Sequence, residues 1–267
     1  MKKFLLITIT LITGAYILLC GLLYFFQENI IYFPTKLDKR FQFQFEQPFE
    51  ERNIKTKDGT VLNAVLFRAD SSRGVIFYLH GNAGSLQDWG GIAGTYTQLN
   101  HDLFIPDYRG YGKSDGEIES QEQIYGDIQR LYDEVKKEYT EDRIIVLGYS
   151  IGTGLASRVA SENNPRLLIL QAPYYNLADL MRQSFPMIPT FLLKYKFETN
   201  AHLKNCKMPV IIFHGDHDGT IPYSSSVKLK EEFKNGDTLI TLQGQGHNGM
   251  TFSDHYKDEL RKQLTQH

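Results

Sequence analysis

Ser150 stands in a run of residues suited to nucleophilic attack on an acyl carbon. Residues 148–152 read Gly-Tyr-Ser-Ile-Gly and fit the pattern G-x-S-x-G, between an apolar, β-branched run at 144–147 and a segment with helical apolar spacing at 153–160. This order predicts a strand, a sharp turn and a helix. The two glycines let the backbone turn tightly, which holds the serine hydroxyl clear of the sheet and near the helix N-terminus.

A serine hydroxyl is a weak nucleophile by itself, so this chemistry needs a base and a group that orients the base. His247 follows the apolar run 239–242 in a glycine-rich segment, while Asp216 and Asp218 follow the run 210–213. Serine, then acid, then histidine is a chain order known for catalytic triads. We therefore predict His247 as the base and one of the two aspartates as its partner.

A second interpretation of the same segment is a metal site. His214, Asp216 and His217 crowd together, and histidines and carboxylates are the usual ligands of hydrolytic metals. The other elements of such a site are not evident, so we expect no metal. Gly152 and Gly154 begin a G-x-G pattern that lacks its third glycine, so we expect no dinucleotide and no other cofactor.

The segment 78–85, Tyr-Leu-His-Gly-Asn-Ala-Gly-Ser, ends the apolar run 75–79 in a loop of small residues. Such a loop can present a backbone N–H to a developing oxyanion, together with the N–H that follows the nucleophile. We predict Asn82 and Ile151 as these two backbone donors. The alternative for the loop is a plain turn between a strand and a helix.

Length and composition favour one large α/β domain. The chain has 267 residues, 42% of them hydrophobic, and its net charge of −2 gives no field that would attract nucleic acid. Runs at 52–56 and 61–67 predict a hairpin, and beyond it short apolar runs alternate with helical patterns. Alternation of this kind predicts a mostly parallel sheet with helices on both faces. The predicted strands lie at 75–79, 103–105, 144–147, 167–170, 210–213 and 239–242, and the predicted helices near 86–99, 120–139, 152–163, 224–234 and 253–265.

About 40 residues separate the predicted strands ending at Leu170 and beginning at Val210, more than a simple crossover needs. The interval is rich in aromatic residues, leucine and methionine, and we predict a small cap near residues 173–208. The alternative is an ordinary helix whose apolar face joins the core, which would account for about half of these side chains.

The N-terminal segment 4–26 has no charged residue and, as a helix of about 35 Å, could cross the hydrocarbon core of a membrane. We predict an anchor and connector at 1–34 and a catalytic domain at 35–267. A cleaved signal peptide and lipidation at Cys20 are the alternatives. Lys2 and Lys3 precede the segment, so the positive-inside rule favours a single-pass protein with its body on the non-cytoplasmic side.

Together these motifs resemble the α/β-hydrolase superfamily, in a membrane-anchored form of its serine-aminopeptidase-like branch. The match runs from about Arg52 to the C-terminus and includes residues 80–84, residues 107–114, the serine turn and His247. The resemblance implies the α/β-hydrolase fold. The family pattern of the loop 214–222 also favours Asp218 over Asp216 as the partner of His247. It further implies a structural role for residues 107–114, including Arg109.

We therefore expect a serine hydrolase that cleaves acyl esters or thioesters, with lipid-derived substrates favoured by the apolar cap and the membrane segment. The triad would consist of Ser150, Asp218 and His247 and would act through an acyl-enzyme. Relatives that resemble this chain include peptidases, so a serine peptidase or aminopeptidase is one alternative. A catalytically silent binding module at the membrane is another.

Overall fold

The computed structural model describes residues 1–266, so His267, the last residue of the predicted domain, lies outside the described residues. Eight strands form one sheet, and two short strands form a second. The strands are β1 (Phe33–Pro34), β2 (Phe49–Lys55), β3 (Val61–Phe67), β4 (Val75–Leu79), β5 (Ala83–Gly84), β6 (Asp102–Pro106), β7 (Ile144–Tyr149), β8 (Leu167–Gln171), β9 (Val210–Gly215) and β10 (Thr238–Leu242).

The large sheet has the strand order β10-β9-β8-β7-β4-β6-β3-β2. The pairs β2–β3 and β3–β6 are antiparallel, and all the other pairs are parallel. The predicted hairpin and the mostly parallel sheet are thereby confirmed. The carboxyl ends of β7, β9 and β10 lie at one edge of the sheet, and that edge presents the loops that follow them.

Helices cover both faces of this sheet. In β4, Phe77 and Leu79 join one hydrophobic core with the helices at Gln121–Val135 and Gly152–Glu162, whereas Ile76 and Tyr78 join a second core on the opposite face with the helix at Asp254–Gln266. The helices are α1 (Lys2–Phe25), α2 (Gln27–Ile31), α3 (Leu86–Trp89), α4 (Ala93–Thr97), α5 (Gln121–Val135), α6 (Gly152–Glu162), α7 (Leu177–Ser184), α8 (Thr199–Leu203), α9 (Ser224–Leu229) and α10 (Asp254–Gln266).

The helix predicted near 86–99 is present, but its middle turn is a tighter 3₁₀ turn. Two short helices, α3 and α4, are joined by a 3₁₀ turn at Gly90–Ile92. The ring of Phe45 packs directly on Gly90, where a β-carbon would lie only 2.2 Å from it. This tertiary contact comes from a distant segment, so local spacing does not reveal it.

The N-terminal helix α1 is long and apolar enough to cross a membrane, by length and composition. A stretch of 18 residues within it has a mean hydropathy of 2.3, and none of its 24 residues is buried against the rest of the protein. A signal sequence near the N-terminus would have the same properties. Immediately after α2, β1 pairs in parallel with β5, so the connector joins the body at the loop that follows β4.

The segment predicted as a cap lies outside the sheet and contains α7, a 3₁₀ turn at Thr190–Leu192 and α8. Its two ends belong to the core, where Tyr174, Tyr195 and Phe197 are buried. The middle of the segment is exposed, including Phe185 and Phe191. The ends of the interval therefore pack into the core, as the interpretation as an ordinary core segment expects. Its middle stands outside the core, as the cap interpretation expects.

Candidate active site

Ser150 occupies a strained turn between β7 and α6. Its φ of 54° lies in the left-handed region, which a residue other than glycine seldom adopts. Its N–H donates to the carbonyl of Gln171 on β8, 2.9 Å away. A β-carbon on Gly152 would lie 2.1 Å from the carbonyl oxygen of Leu79, so only glycine allows α6 to begin this close to β4.

Ser150, His247 and Asp218 form a continuous chain of hydrogen bonds. The Ser150 hydroxyl lies 3.1 Å from Nε2 of His247, and Nδ1 of His247 lies 2.7 Å from Oδ2 of Asp218. With the Nδ1 proton donated to the carboxylate, Nε2 is free to accept the proton of the serine. The three residues come from the loops after β7, β9 and β10.

The Asp218 carboxylate is buried and heavily hydrogen-bonded. Its Oδ1 accepts from the N–H groups of Thr220 and Ile221, each at 2.8 Å, and its Oδ2 lies 3.2 Å from Nε2 of His214. Burial alone would raise the pKa of Asp218, but the hydrogen bonds from His214, His247 and Ile221 outweigh it and lower that pKa below its usual range. Asp218 is therefore ionised beside His247 at neutral pH.

Asp216, His214 and His217 do not converge on one point, because their side chains bind different partners. Asp216 accepts from Nδ1 of His217 and from the N–H of Gly244, at 2.8 and 2.7 Å. His214 is buried, with Nδ1 2.6 Å from the hydroxyl of Ser226. Within residues 1–266, no three histidine, cysteine or acidic side chains lie close enough together to hold a metal ion. The metal interpretation of this segment therefore has no geometric support.

The loop after β4 lies beside the serine and is held from several sides. The carbonyl of Asn82 accepts from the N–H of Phe33 at 2.8 Å and from the hydroxyl of Tyr111 at 2.7 Å. The Asn82 side chain donates to the carbonyl of Ile31, 3.0 Å away. The two residues predicted as oxyanion donors, Asn82 and Ile151, line the same cavity as Ser150.

Residues 107–114 lie beside the loop that follows β4 and support it. Asp107 accepts from the N–H of Leu86 at 2.9 Å, and its Oδ1 lies 3.5 Å from Nε2 of the buried His80. Arg109 forms ion pairs with Asp127 at 2.5 Å and Asp58 at 2.8 Å. The contacts of Asp107 position the loop after β4, whereas those of Arg109 tie residues 107–114 to α5 and to the turn between β2 and β3, in agreement with a structural role for Arg109.

A cavity of about 580 Å³ opens above Ser150. Among residues 1–266, no charged side chain lines it, and most of the lining is aliphatic or aromatic. The lining comes from α1 and α2 (Leu19, Leu23, Gln27, Ile30, Ile31), from the catalytic loops (Asn82, Ser150, Ile151, Thr220, Ile221) and from the cap (Tyr174, Leu177, Leu180, Met181, Ser184, Phe185, Ile188, Leu192, Leu193). Its volume lies within the usual range for small-molecule sites.

Sequence reasoning missed two features of this site. The sequence suggests only a metal-ligand role for His214, whereas its ring contacts the same Oδ2 oxygen of Asp218 as the ring of His247 does. The α1 and α2 side chains were interpreted only as an anchor and connector, although five of them line the cavity. A signal for the second feature was available, since residues 19, 23, 27 and 30 share one face of a helix.

Comparisons with known proteins agree with this architecture. The model of a family described as serine aminopeptidase, S33, matches residues 70–199. An α/β hydrolase domain-containing protein 17C of Xenopus tropicalis is 29% identical over 234 residues, which cover 85% of this chain and 74% of the relative. The α/β hydrolase domain-containing protein aho-3 of Caenorhabditis elegans is 30% identical over 194 residues, covering 72% of this chain and 57% of that protein.

Two solved structures share the fold. An esterase of Pyrococcus furiosus superposes with a TM-score of 0.70 at 17% identity, covering 88% of this chain and 97% of that one. The ferulic-acid-bound Est1E of Butyrivibrio proteoclasticus superposes with a TM-score of 0.63 at 22% identity, covering 80% and 96%. Sequence motifs, sheet topology and relatives agree: the chain has the α/β-hydrolase fold, and its similarity to these proteins supports membership of the α/β-hydrolase superfamily.

Proposed function

We propose that this protein is a serine hydrolase that cleaves acyl esters or thioesters. The observation that carries the proposal is the hydrogen-bonded chain from Ser150 through His247 to Asp218 at the base of an apolar cavity. His247 takes the proton of Ser150 as the hydroxyl oxygen attacks the acyl carbon, and then returns a proton to the leaving alcohol or thiol. Water, activated by the same histidine, releases the acid from the acyl-enzyme.

Asn82 and Ile151 are proposed to donate their backbone N–H groups to the oxyanion of each tetrahedral intermediate. Support comes from their position in the cavity beside Ser150 and from the strained turn that begins α6 directly after Ile151. Loss of one such donor typically costs about 3 kcal/mol in transition-state stabilisation.

The lining of the cavity favours an acyl chain over an aminoacyl group. An aminopeptidase must bind the α-ammonium group of its substrate, and a buried ammonium group needs a carboxylate partner. The cavity offers aliphatic and aromatic side chains in the part of the chain that the structure describes, and no acidic one. We therefore place the peptidase second, and the silent binding module third.

We further propose that α1 is an uncleaved anchor and that the catalytic body lies on the non-cytoplasmic side. The supporting observations are the charge-free run at residues 4–26, the two lysines at the start of α1, and the contribution of the C-terminal half of α1 to the cavity. Removal of the segment by a signal peptidase would remove one side of the cavity.

Fluorophosphonate labelling tests the chemistry. We expect the wild type to form an adduct, Ser150→Ala to form none, and the control Ser161→Ala, which alters a half-buried position in the last turn of α6, to react like the wild type. A panel of acyl esters of graded length, run beside aminoacyl amides, tests the substrate. Each buried CH₂ group contributes about 0.8 kcal/mol, about fourfold in kcat/KM, so we expect a chain-length optimum.

Two outcomes would contradict the proposal. Absence of a Ser150-dependent adduct would favour the silent binding module. Preferential cleavage of the amides would favour the peptidase.

A further inference from the structure

The C-terminal half of α1 lies against the exposed middle of the cap. We call residues 183–193 the cap tip. The hydroxyl of Tyr16 donates to the carbonyl of Met187 at 2.6 Å, and the amide of Gln27 donates to the carbonyl of Leu192 at 3.0 Å. The cap tip therefore runs alongside the anchor over the stretch between Tyr16 and Gln27.

This contact sets the depth of the cap tip relative to the membrane. Tyr16 precedes the last residue of α1, Phe25, by nine positions, about 14 Å along a helix axis. The hydrocarbon core of a bilayer is about 30 Å thick. If α1 spans the bilayer with its C-terminal end at the surface, Met187 lies near the bilayer centre.

The composition of the cap tip fits such a depth. Residues 183–193 read Gln-Ser-Phe-Pro-Met-Ile-Pro-Thr-Phe-Leu-Leu and contain no charge. The side chains of Phe185, Met187 and Phe191 are 63%, 78% and 82% exposed, respectively. An exposed apolar group of this size at the end of a protruding loop favours contact with lipid.

A charged residue follows both the apolar run of α1 and the cap tip, at the same depth relative to the membrane. The charge-free run of α1 is followed by Glu28, and the cap tip is followed by Lys194; these two side chains form an ion pair at 3.2 Å. Tyr24 lies under the Lys194 ammonium, 5.2 Å from it. An ion pair beside aromatic rings marks the level expected for the membrane surface.

The backbone of the cap tip meets part of the requirement that lipid imposes. In a bilayer, each unpaired backbone group costs several kcal/mol, so a non-helical segment must satisfy its own polar groups. Turns within the cap tip provide donors to the carbonyls of Phe185, Pro189 and Thr190. Tyr16 and Gln27 provide them to Met187 and Leu192.

We propose that the cap tip inserts into the bilayer beside α1 and that the acyl chain of a membrane-resident lipid ester enters the cavity between them. Leu19 and Leu23 of α1 and Ile188 and Leu193 of the cap tip line the two sides of this entrance. The chain passes from hydrocarbon to an apolar cavity without crossing water, while its carbonyl reaches Ser150. The choice of substrate rests on the proposed function; the insertion of the cap tip does not.

Fluorescence quenching tests the depth directly. Trp89 is the single tryptophan, so Trp89→Phe provides a silent background in the full-length chain. In vesicles of phosphatidylcholine brominated in the middle of the acyl chain, we expect Met187→Trp to lose most of its emission. The control Val227→Trp, at an exposed position of α9, should keep its emission. Equal emission from the two variants would overturn the insertion of the cap tip, whatever the activity.

Activity separates the route of the substrate from the chemistry. Met187 and Phe191 do not line the cavity within the described residues, so Met187→Glu with Phe191→Glu should leave hydrolysis of dissolved 4-methylumbelliferyl butyrate within twofold of wild type. Hydrolysis of 4-methylumbelliferyl palmitate in phosphatidylcholine vesicles should fall more than tenfold, and Val227→Glu should change neither. An equal fall for both esters, or no fall, would overturn entry from the bilayer. A wild type that cleaves neither ester and forms no Ser150 adduct would instead contradict the proposed function.

Discussion

At the residue scale, Asp218 is the most heavily hydrogen-bonded of the three residues proposed for catalysis. It accepts two backbone N–H groups and contacts the rings of His214 and His247. Sequence spacing alone left Asp216 and Asp218 as alternatives, and family resemblance favoured Asp218. The structure separates them because Asp218 turns inward to the histidines, whereas Asp216 pairs with His217 near the surface.

Substitution of the two aspartates provides a matched test of this assignment. Asp218→Asn should lower kcat by about 10⁴-fold, because an amide at that position favours the wrong tautomer of the His247 ring. Asp216→Asn should change kcat by less than about twofold, since its partners are His217 and the Gly244 N–H. Rates of short-ester hydrolysis by the two purified variants would decide, and an equal loss in both would contradict the triad.

At the element scale, the turn between β7 and α6 was predictable because its requirements are local. A strand, a tight turn and a helix each leave a short pattern of apolar residues and glycines. The close contact of Phe45 with Gly90, between α3 and α4, was not predictable, because the two residues lie 45 positions apart in sequence. Local patterns thus specified the elements, while contacts between distant segments depend on the tertiary structure.

The closeness of α6 to β4 predicts a large effect of one methyl group. In Gly152→Ala, the new β-carbon would meet the carbonyls of Leu79 and His80 at 2.1 and 2.7 Å, so the backbone must move at both the serine turn and the loop leading to Asn82. We expect a loss of thermal stability and at least a tenfold loss of kcat. Thermal unfolding and ester hydrolysis would measure both.

Gly126→Ala is the control for this substitution, because nothing lies within 4 Å of a β-carbon at Gly126 on α5. A glycine inside a helix is less favourable than alanine by roughly 0.5–1 kcal/mol, so this variant should be slightly more stable. Similar behaviour of the two variants would argue against steric closeness at Gly152.

At the scale of the whole molecule, the connector that follows α1 packs against the catalytic body. The side chain of Gln27 is buried, and it donates to the carbonyls of Tyr24 and Leu192 and accepts from the N–H of Lys194 at 2.8 Å. The predicted division at residue 34 stays a prediction as a domain boundary. The contacts of α2 and β1 with the body cross it.

Gln27→Leu should weaken the contact between the connector and residues 192–194 of the cap. The substitution leaves Leu192 O and Lys194 N without their side-chain partner, at a cost of about 1–3 kcal/mol for unsatisfied buried groups. We expect faster proteolysis within residues 183–196 of the full-length protein in micelles, and a higher KM for long-chain esters. Gln98→Leu, which replaces an exposed glutamine, should behave like the wild type. Unchanged proteolysis in Gln27→Leu would indicate that the cap is held by other contacts.

The sequence by itself determined the fold class, the order of the strands and helices, the segment able to cross a membrane, and the residues from which a triad could form. Each of these depends on local periodicity, on glycine positions or on a motif. Only the tertiary structure decided that Asp218 faces His247, that His214 supports it, and that α1 forms one side of the cavity above Ser150. These facts depend on contacts between segments far apart in the chain, and the packing of the whole molecule creates them.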